Sequence, residues 1–340
     1  MLVFSSPAFS LGEEILRRDG LPTVRGELLS GGPSGLLLRV EGKSASSIRI
    51  PWSSIRSIEP NEPRPQLKQL LENGEKLWRA KIRLLRGDVQ LSEPIFATQF
   101  KRLLGNDSED ARLAAEGLLR VLIARGAITR AVHPWLETVR LNEIGIQSPF
   151  SELQPILDST TMLCPHLPII EVERISPQIL NSYKIKTNPI TSSLVNALSQ
   201  ETTPLSSTAV DSTVEDSLFL SQIVGAASGH PQLRDALRER LELLLPWQKA
   251  WAHYAISSGL LRESTLESRN AGLLHLAHVA SMNPEIQPWL TGAAMLKLSN
   301  ELASDGFDQQ ADRIQYEAIR LFPSHPLLSD VIENKRNTTQ

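Results

Sequence analysis

The chain carries one cysteine, Cys164, in 340 residues, which excludes an intramolecular disulfide framework and a cysteine-cluster zinc site. Aromatic residues are few, at 5%, so the core must be built from Leu, Ala and Ile, which favours helices. No apolar run reaches the roughly 18–20 residues that a spanning helix requires, and no transmembrane segment is expected. Charge of one sign is also scarce. The net charge is −3, and even the most basic stretch, residues 64–140, mixes 14 basic with 9 acidic groups. A nucleic-acid binder would show a denser basic stripe, so no nucleic-acid partner is expected. No glycine cluster leads into a Walker lysine, and neither GxSxG nor GxGxxG occurs.

What is present suffices for two or three domains, with 41% hydrophobic and 21% charged residues. Residues 1–10 read equally as a frayed terminus or as the tail of an export signal, since Ala8 and Ser10 flank Phe9 as small residues flank a cleavage site. The compartment is therefore open between cytoplasm and cell envelope or periplasm. Residues 11–59 hold five short runs rich in Ile, Leu and Val, separated by the glycine-bearing turns "DGLP", "GGPSG" and "EGKSAS". Five strands in so few residues resemble a small SH3-like or Sm-like barrel. "GGPSG" leads into the strand-like "LLLRV" rather than a helix, so it reads as a hairpin loop and not a phosphate cradle.

The prolines of residues 60–65 form a hinge, and helical periodicity begins after it. Residues 66–141 read as two helix hairpins, with "RGD" (Arg86–Asp88) at the first turn and "RGAIT" at the last. Ser92 is the expected cap of the second helix, with Pro94 in its first turn. Residues 142–213 are rich in Ser, Thr and Pro, a composition that disfavours long helices and reads as a partly ordered linker. Within it, Leu194, Val195 and Leu198 point to one short helix, and residues 200–213 to the most mobile part. Residues 214–326 return to helical spacing, and 327–340 form a tail.

The stretch "GFDQQADRIQYEAIRLFPSHP" places Ala311 and Ala318 two helical turns apart after a turn at Gly306, with Pro323 ending the helix. Small residues let one helix approach another closely. Together with bulky Met295, Leu298 and Leu302 on the preceding helix, this unit resembles a tetratricopeptide repeat over residues 292–325. It departs from that pattern at Ser299, where glycine is usual, and at Leu302, where an aromatic residue is usual. Weaker copies start near Gly87 and Gly126. The resemblance implies a mainly α fold of stacked antiparallel hairpins beside the small β-barrel. It also implies an inner surface that binds a peptide or an extended partner segment. By that analogy Leu77, Lys81, Glu116, Arg120, Leu296 and Asn300 face the groove.

Signals of chemistry are weaker than this architecture. His275 and His278, at i and i+3 with His253 upstream, could meet one ion, yet no carboxylate completes the set and no metal or cofactor is expected. Cys164 and His166 lie two apart on an extended stretch, a poor arrangement for proton transfer. The expectation is a non-enzymatic interaction scaffold. Its alternatives are a small-barrel RNA-binding module and a histidine-based, metal-dependent hydrolase.

Overall fold

The computed structural model describes residues 13–40, 47–59, 65–168, 175–184, 189–199, 215–282, 287–323, 325 and 327–328. The expectations for residues 1–10, for the hinge before Pro65, for the mobile stretch 200–213 and for the tail from 329 on lie outside these. The chain divides into two compact units, one reaching Val121 and including Ile144–Leu153, the other holding Leu122–Glu143 and the chain from Gln154 on. Among the described residues no helix is long and apolar enough to cross a membrane.

In the first unit, strands β1 (Glu13–Arg17), β2 (Val24–Gly32), β3 (Gly35–Val40), β4 (Ser47–Ile50) and β5 (Ile55–Glu59) form one antiparallel sheet in the order β4-β3-β2-β1-β5. The expected barrel is corrected here: β4 and β5 are the two edges, and the sheet does not close. A helix covers the core instead. Ile15, Leu36, Leu38, Ile50, Trp52, Ile55 and Ile58 are buried with Leu67 of α1 (Pro65–Leu85), and Leu70 and Leu71 pack against them. The approach is close enough that a Cβ on Gly74 of α1 would fall 2.4 Å from the Trp52 backbone. Trp52 sits in the short 3-10 turn between β4 and β5, and its indole donates to the Gly32 carbonyl at 2.7 Å. Asp110, in the first turn of α3 (Glu109–Ala124), accepts from the Trp52 and Ser53 amides at 2.8 and 3.2 Å.

The helix α2 (Val89–Leu103) packs on α1, but its cap differs from the expected one. Asp88 accepts from the Leu91 amide at 3.2 Å, so the helix starts before Ser92, and Pro94 lies inside it. Ser92 turns its hydroxyl back to the Asp88 carbonyl at 2.5 Å. An aspartate with its carboxylate at the positive helix end outcompetes a serine one turn further on.

The second unit contains α4 (Ile128–Glu143), α5 (Pro177–Lys184), α6 (Pro189–Ser199), α7 (Glu215–Ala227), α8 (Pro231–Glu239), α9 (Pro246–Leu260), α10 (Leu266–Ser281), α11 (Pro288–Ser304) and α12 (Asp308–Leu321). Five of these begin at proline, whose fixed φ suits the first helical position and whose missing N–H would be unpaired there anyway. Leu194, Val195 and Leu198 are buried on α6. The α6 N-terminus is capped by Glu143 of α4, which accepts from the Ile190 and Thr191 amides at 2.8 and 3.1 Å. From α5 onward each helix packs on the next or next but one, and the last four do so in chain order.

One turn recurs. After α1, α3, α7 and α11 a glycine (Gly87, Gly126, Gly229, Gly306) takes a φ of 81°, 68°, 94° and 83°. In each case two amides reach back to the ending helix; at Gly306 they run from Phe307 to the Leu302 carbonyl (2.9 Å) and from Gly306 to Ala303 (3.0 Å). This doubly bonded ending needs a left-handed residue, which glycine supplies without a Cβ clash. The next helix then starts within two residues of the glycine, and after Gly87, Gly229 and Gly306 it packs on the helix it leaves.

The final hairpin shows why its alanines are spaced as they are. Ala311 and Ala318 are 4% and 0% exposed, pressed against α11. Met295, Ala318, Phe322 and Leu328 form one buried cluster. Ser299, in place of the usual glycine, donates its hydroxyl to the Ala311 carbonyl at 2.8 Å, so the larger residue is accommodated by a hydrogen bond across the helix pair. Pro323 follows the α12 C-cap Phe322 and is exposed. Replacing Ala318 by Leu should force α12 away from α11 and cost about 1–3 kcal/mol, read as a lower midpoint in chemical denaturation; an unchanged midpoint would show that the close approach contributes no stability.

Candidate functional site

The residues expected to face a groove divide between the two units. On α1, Leu77 is fully buried, and Lys81, one turn on, is half-buried. On α3, Glu116 is fully buried, with an arginine four residues to either side. It accepts from Arg112 Nε at 3.1 Å, from Arg120 Nε and Nη2 at 3.0 and 2.8 Å, and from Ser148 Oγ at 2.9 Å. Arg120 also lies over the Phe150 ring at 5.3 Å. Burial holds the Arg112 guanidinium below its usual range, partly offset by the adjacent Glu116. Glu116 and Arg120 are thus brought together as an internal ion network, and neither Leu77 nor Glu116 offers an accessible surface. In the second unit, Leu296 of α11 is half-buried against the C-terminal cluster, and Asn300, one turn further, is exposed.

The three histidines do converge. His253 lies on α9, and His275 and His278 lie on the antiparallel α10. Nδ1 of His253 is 2.7 Å from Nδ1 of His275, and the His278 ring lies against His253 with centroids 4.1 Å apart. Burial lowers both His253 and His275 to about 4. His278 and His275, then Lys249, add to the effect on His253, and Arg238 and then His278 to that on His275. Among the described residues no group of three His, Cys, Asp or Glu side chains is placed to hold a metal ion. Cys164 is fully buried.

The surface of the stack carries residues that the spacing of the sequence did not single out. Leu266 and Leu274 of α10 are 73% and 72% exposed, and Leu243, just before α9, is 84% exposed. The signal was present in "AGLLHLAHVA", whose apolar residues exceed what one buried helix face can hold. Between α9 and α11, Lys297 donates to Ser258 Oγ at 3.0 Å and lies 5.3 Å over the Tyr254 ring. Between α10 and α11, Arg269 is held by Glu301 at 2.8 Å and Asp305 at 2.9 Å. These links fix the order of the helices and leave Leu266, Leu274 and Asn300 to solvent.

Compared with protein-family models, curated proteins and solved structures, the chain matches none. Its site must be argued from its own geometry.

If Glu116 is an internal counter-charge, Glu116→Ala should destabilise the protein by about 3–5 kcal/mol, because the buried Arg112 guanidinium loses the carboxylate that offsets its burial. Urea denaturation checks this. A loss below about 0.5 kcal/mol would return Glu116 to the list of surface-facing residues.

Proposed function

We propose that this chain is a non-catalytic interaction protein. Its C-terminal stack of helix hairpins, of tetratricopeptide kind, receives a peptide or extended partner segment. The N-terminal sheet domain, of SH3 or Sm kind, offers a second contact surface.

The observation that supports this most is the sequential packing of α9 to α12, each on the next, with α11 also touching α9. Such a stack buries its alanine and leucine faces between neighbours and must leave a flank of each hairpin unpartnered. The exposed Leu266, Leu274 and Asn300 lie on these helices. An extended segment laid across them would gain apolar burial from the leucines and orientation from an amide side chain that both donates and accepts. Affinity would follow from a few buried anchors rather than from total area.

The test uses the full chain as bait against lysate, with identification of captured proteins by mass spectrometry. A double variant, Leu274→Asp with Asn300→Arg, changes exposed positions and should leave the unfolding midpoint in place. Specific partners of the wild type should drop at least tenfold in recovery with the variant. Equal recovery from both would remove the helical stack from the binding account. Capture that vanishes with nuclease treatment and falls steeply with added salt would instead favour the RNA-binding alternative.

A further inference from the structure

The histidine pair joining α9 to α10 has a property that a permanent structural link would lack. Each neutral imidazole carries one N–H and one bare nitrogen. An Nδ1 to Nδ1 contact of 2.7 Å is a hydrogen bond only when one of these nitrogens holds a proton and the other does not. When both rings are charged, both nitrogens are donors. The bond has no acceptor, and two like charges face each other at contact distance. We propose that His253 and His275 are an acid-sensitive latch, closed while they share one proton along the Nδ1–Nδ1 axis and opened when both rings become cations.

The surroundings all act in the direction of opening. From α9 itself comes Lys249, whose Nζ lies 3.6 Å from Glu242, a side chain 95% exposed. From α10 comes the His278 ring, 4.1 Å from His253. From α8 comes Arg238, which is 3.7 Å from the largely exposed Asp235. On α11, Lys297 is engaged with Ser258 and Tyr254, and Glu301 with Arg269 of α10. On α7 the described side chains, Phe219 to Ala227, carry no ionisable group. A proton added to the pair therefore meets cations and partial burial, and among the described residues no carboxylate acts on either ring to compensate.

Both helices bury apolar side chains, Ala250, Ile256 and Leu260 among them on α9 and Leu276 and Val279 on α10. Gly272 of α10 lies so near Leu261 that a Cβ there would meet its Cγ at 3.0 Å. Charge introduced into this seam loosens α9 from α10. By contrast, α10 and α11 are tied by Arg269 to Glu301 and Asp305, a link with no imidazole in it. Acidification thus acts on the α9–α10 seam through its imidazoles, whereas the Arg269 link from α10 to α11 offers no imidazole to protonate.

The sign of the pH dependence follows from the lowered values. Both histidines bind protons less readily folded than unfolded, so the stability they contribute is full above the ordinary histidine value near 6.5. It is lost as pH falls through that value toward about 4. Because the rings share a bond, the steps belong to the pair rather than to either residue.

Two measurements on the intact chain test the latch, and a variant adds a third. Imidazole resonances of His253 and His275, followed by NMR, should titrate about two pH units below the ordinary histidine value near 6.5, and with mutually dependent shifts. Hydrogen exchange, corrected for intrinsic rates, should rise in α9 and α10 between about pH 7 and about pH 5, with little change in α1. The double variant His253→Asn/His275→Asn should move the acid transition, read by tryptophan fluorescence, down by roughly half a unit or more, while His230→Asn leaves it in place. Independent titration of the two rings near 6.5 would overturn the latch. So would unchanged exchange in α9 and α10, or a double variant with the wild-type acid transition. Should the variant fail to fold, the two wild-type measurements decide.

Discussion

Close approach of paired helices is the constraint on which the second unit depends. In the hairpins turned at a left-handed glycine, a helix returns along its predecessor because the chain reverses within a few residues and small side chains let the two approach. Gly306 at a φ of 83° supplies the first condition, and Ala311 and Ala318 supply the second. The Ser299 hydroxyl bonded to the Ala311 carbonyl shows how tightly the conditions bind. A residue larger than glycine is tolerated at the contact because its oxygen finds a partner on the facing backbone. The same turn ends the helices before Gly87, Gly126 and Gly229, so one way of ending a helix is used in both units.

Buried and half-buried carboxylates perform a second, less visible task. Asp110 fixes the turn between β4 and β5 by accepting from two of its amides, and Glu143 does the same for the first turn of α6. Glu137, 1% exposed, accepts from Arg140 at 2.8 and 3.0 Å and from the Tyr183 hydroxyl at 3.0 Å, tying α5 to α4. Burial and the adjacent Glu137 raise the Tyr183 hydroxyl far above its usual range, so it stays a donor. These contacts join elements 46 to 58 residues apart in sequence. They supply direction where apolar packing supplies only cohesion.

That distinction explains what the sequence disclosed. Spacing is local, so the Ala311–Ala318 face, the helix at Leu194 and the glycine turns could be read from a window of about two helical turns. Caps are also local, yet the cap expected at Ser92 is supplied by Asp88 four residues earlier, because both residue types can cap and only geometry selects between them. Sheet closure is not local. Five strands could be counted, but whether β4 meets β5 depends on α1, whose Leu67, Leu70 and Leu71 occupy the core face. Glu116 illustrates a further limit. Family analogy assigned it to a groove, whereas the arginines at i−4 and i+4 already spelled out an internal ion network. His275 and His278 could be paired from their spacing, but His253 joins them only through the antiparallel register of α9 and α10.

The carboxylates and the histidines also differ in how they respond to acid. Burial raises Asp110 despite the two amides it accepts from, and raises Glu109 beside it. A carboxylate with a raised folded value binds protons more readily folded than unfolded, so protonating it on folding favours the native state as pH falls. The lowered histidines act in the opposite sense. Mild acid therefore weakens the protein where imidazoles face each other across a helix seam, and not where carboxylates hold the 3-10 turn. A chain that tied all its seams with carboxylate and guanidinium would lack this local difference. Placing two imidazoles nitrogen to nitrogen between α9 and α10 gives that seam its response, and His325, lowered by burial where it rests on the Trp289 carbonyl, gives a second to the C-terminal turn.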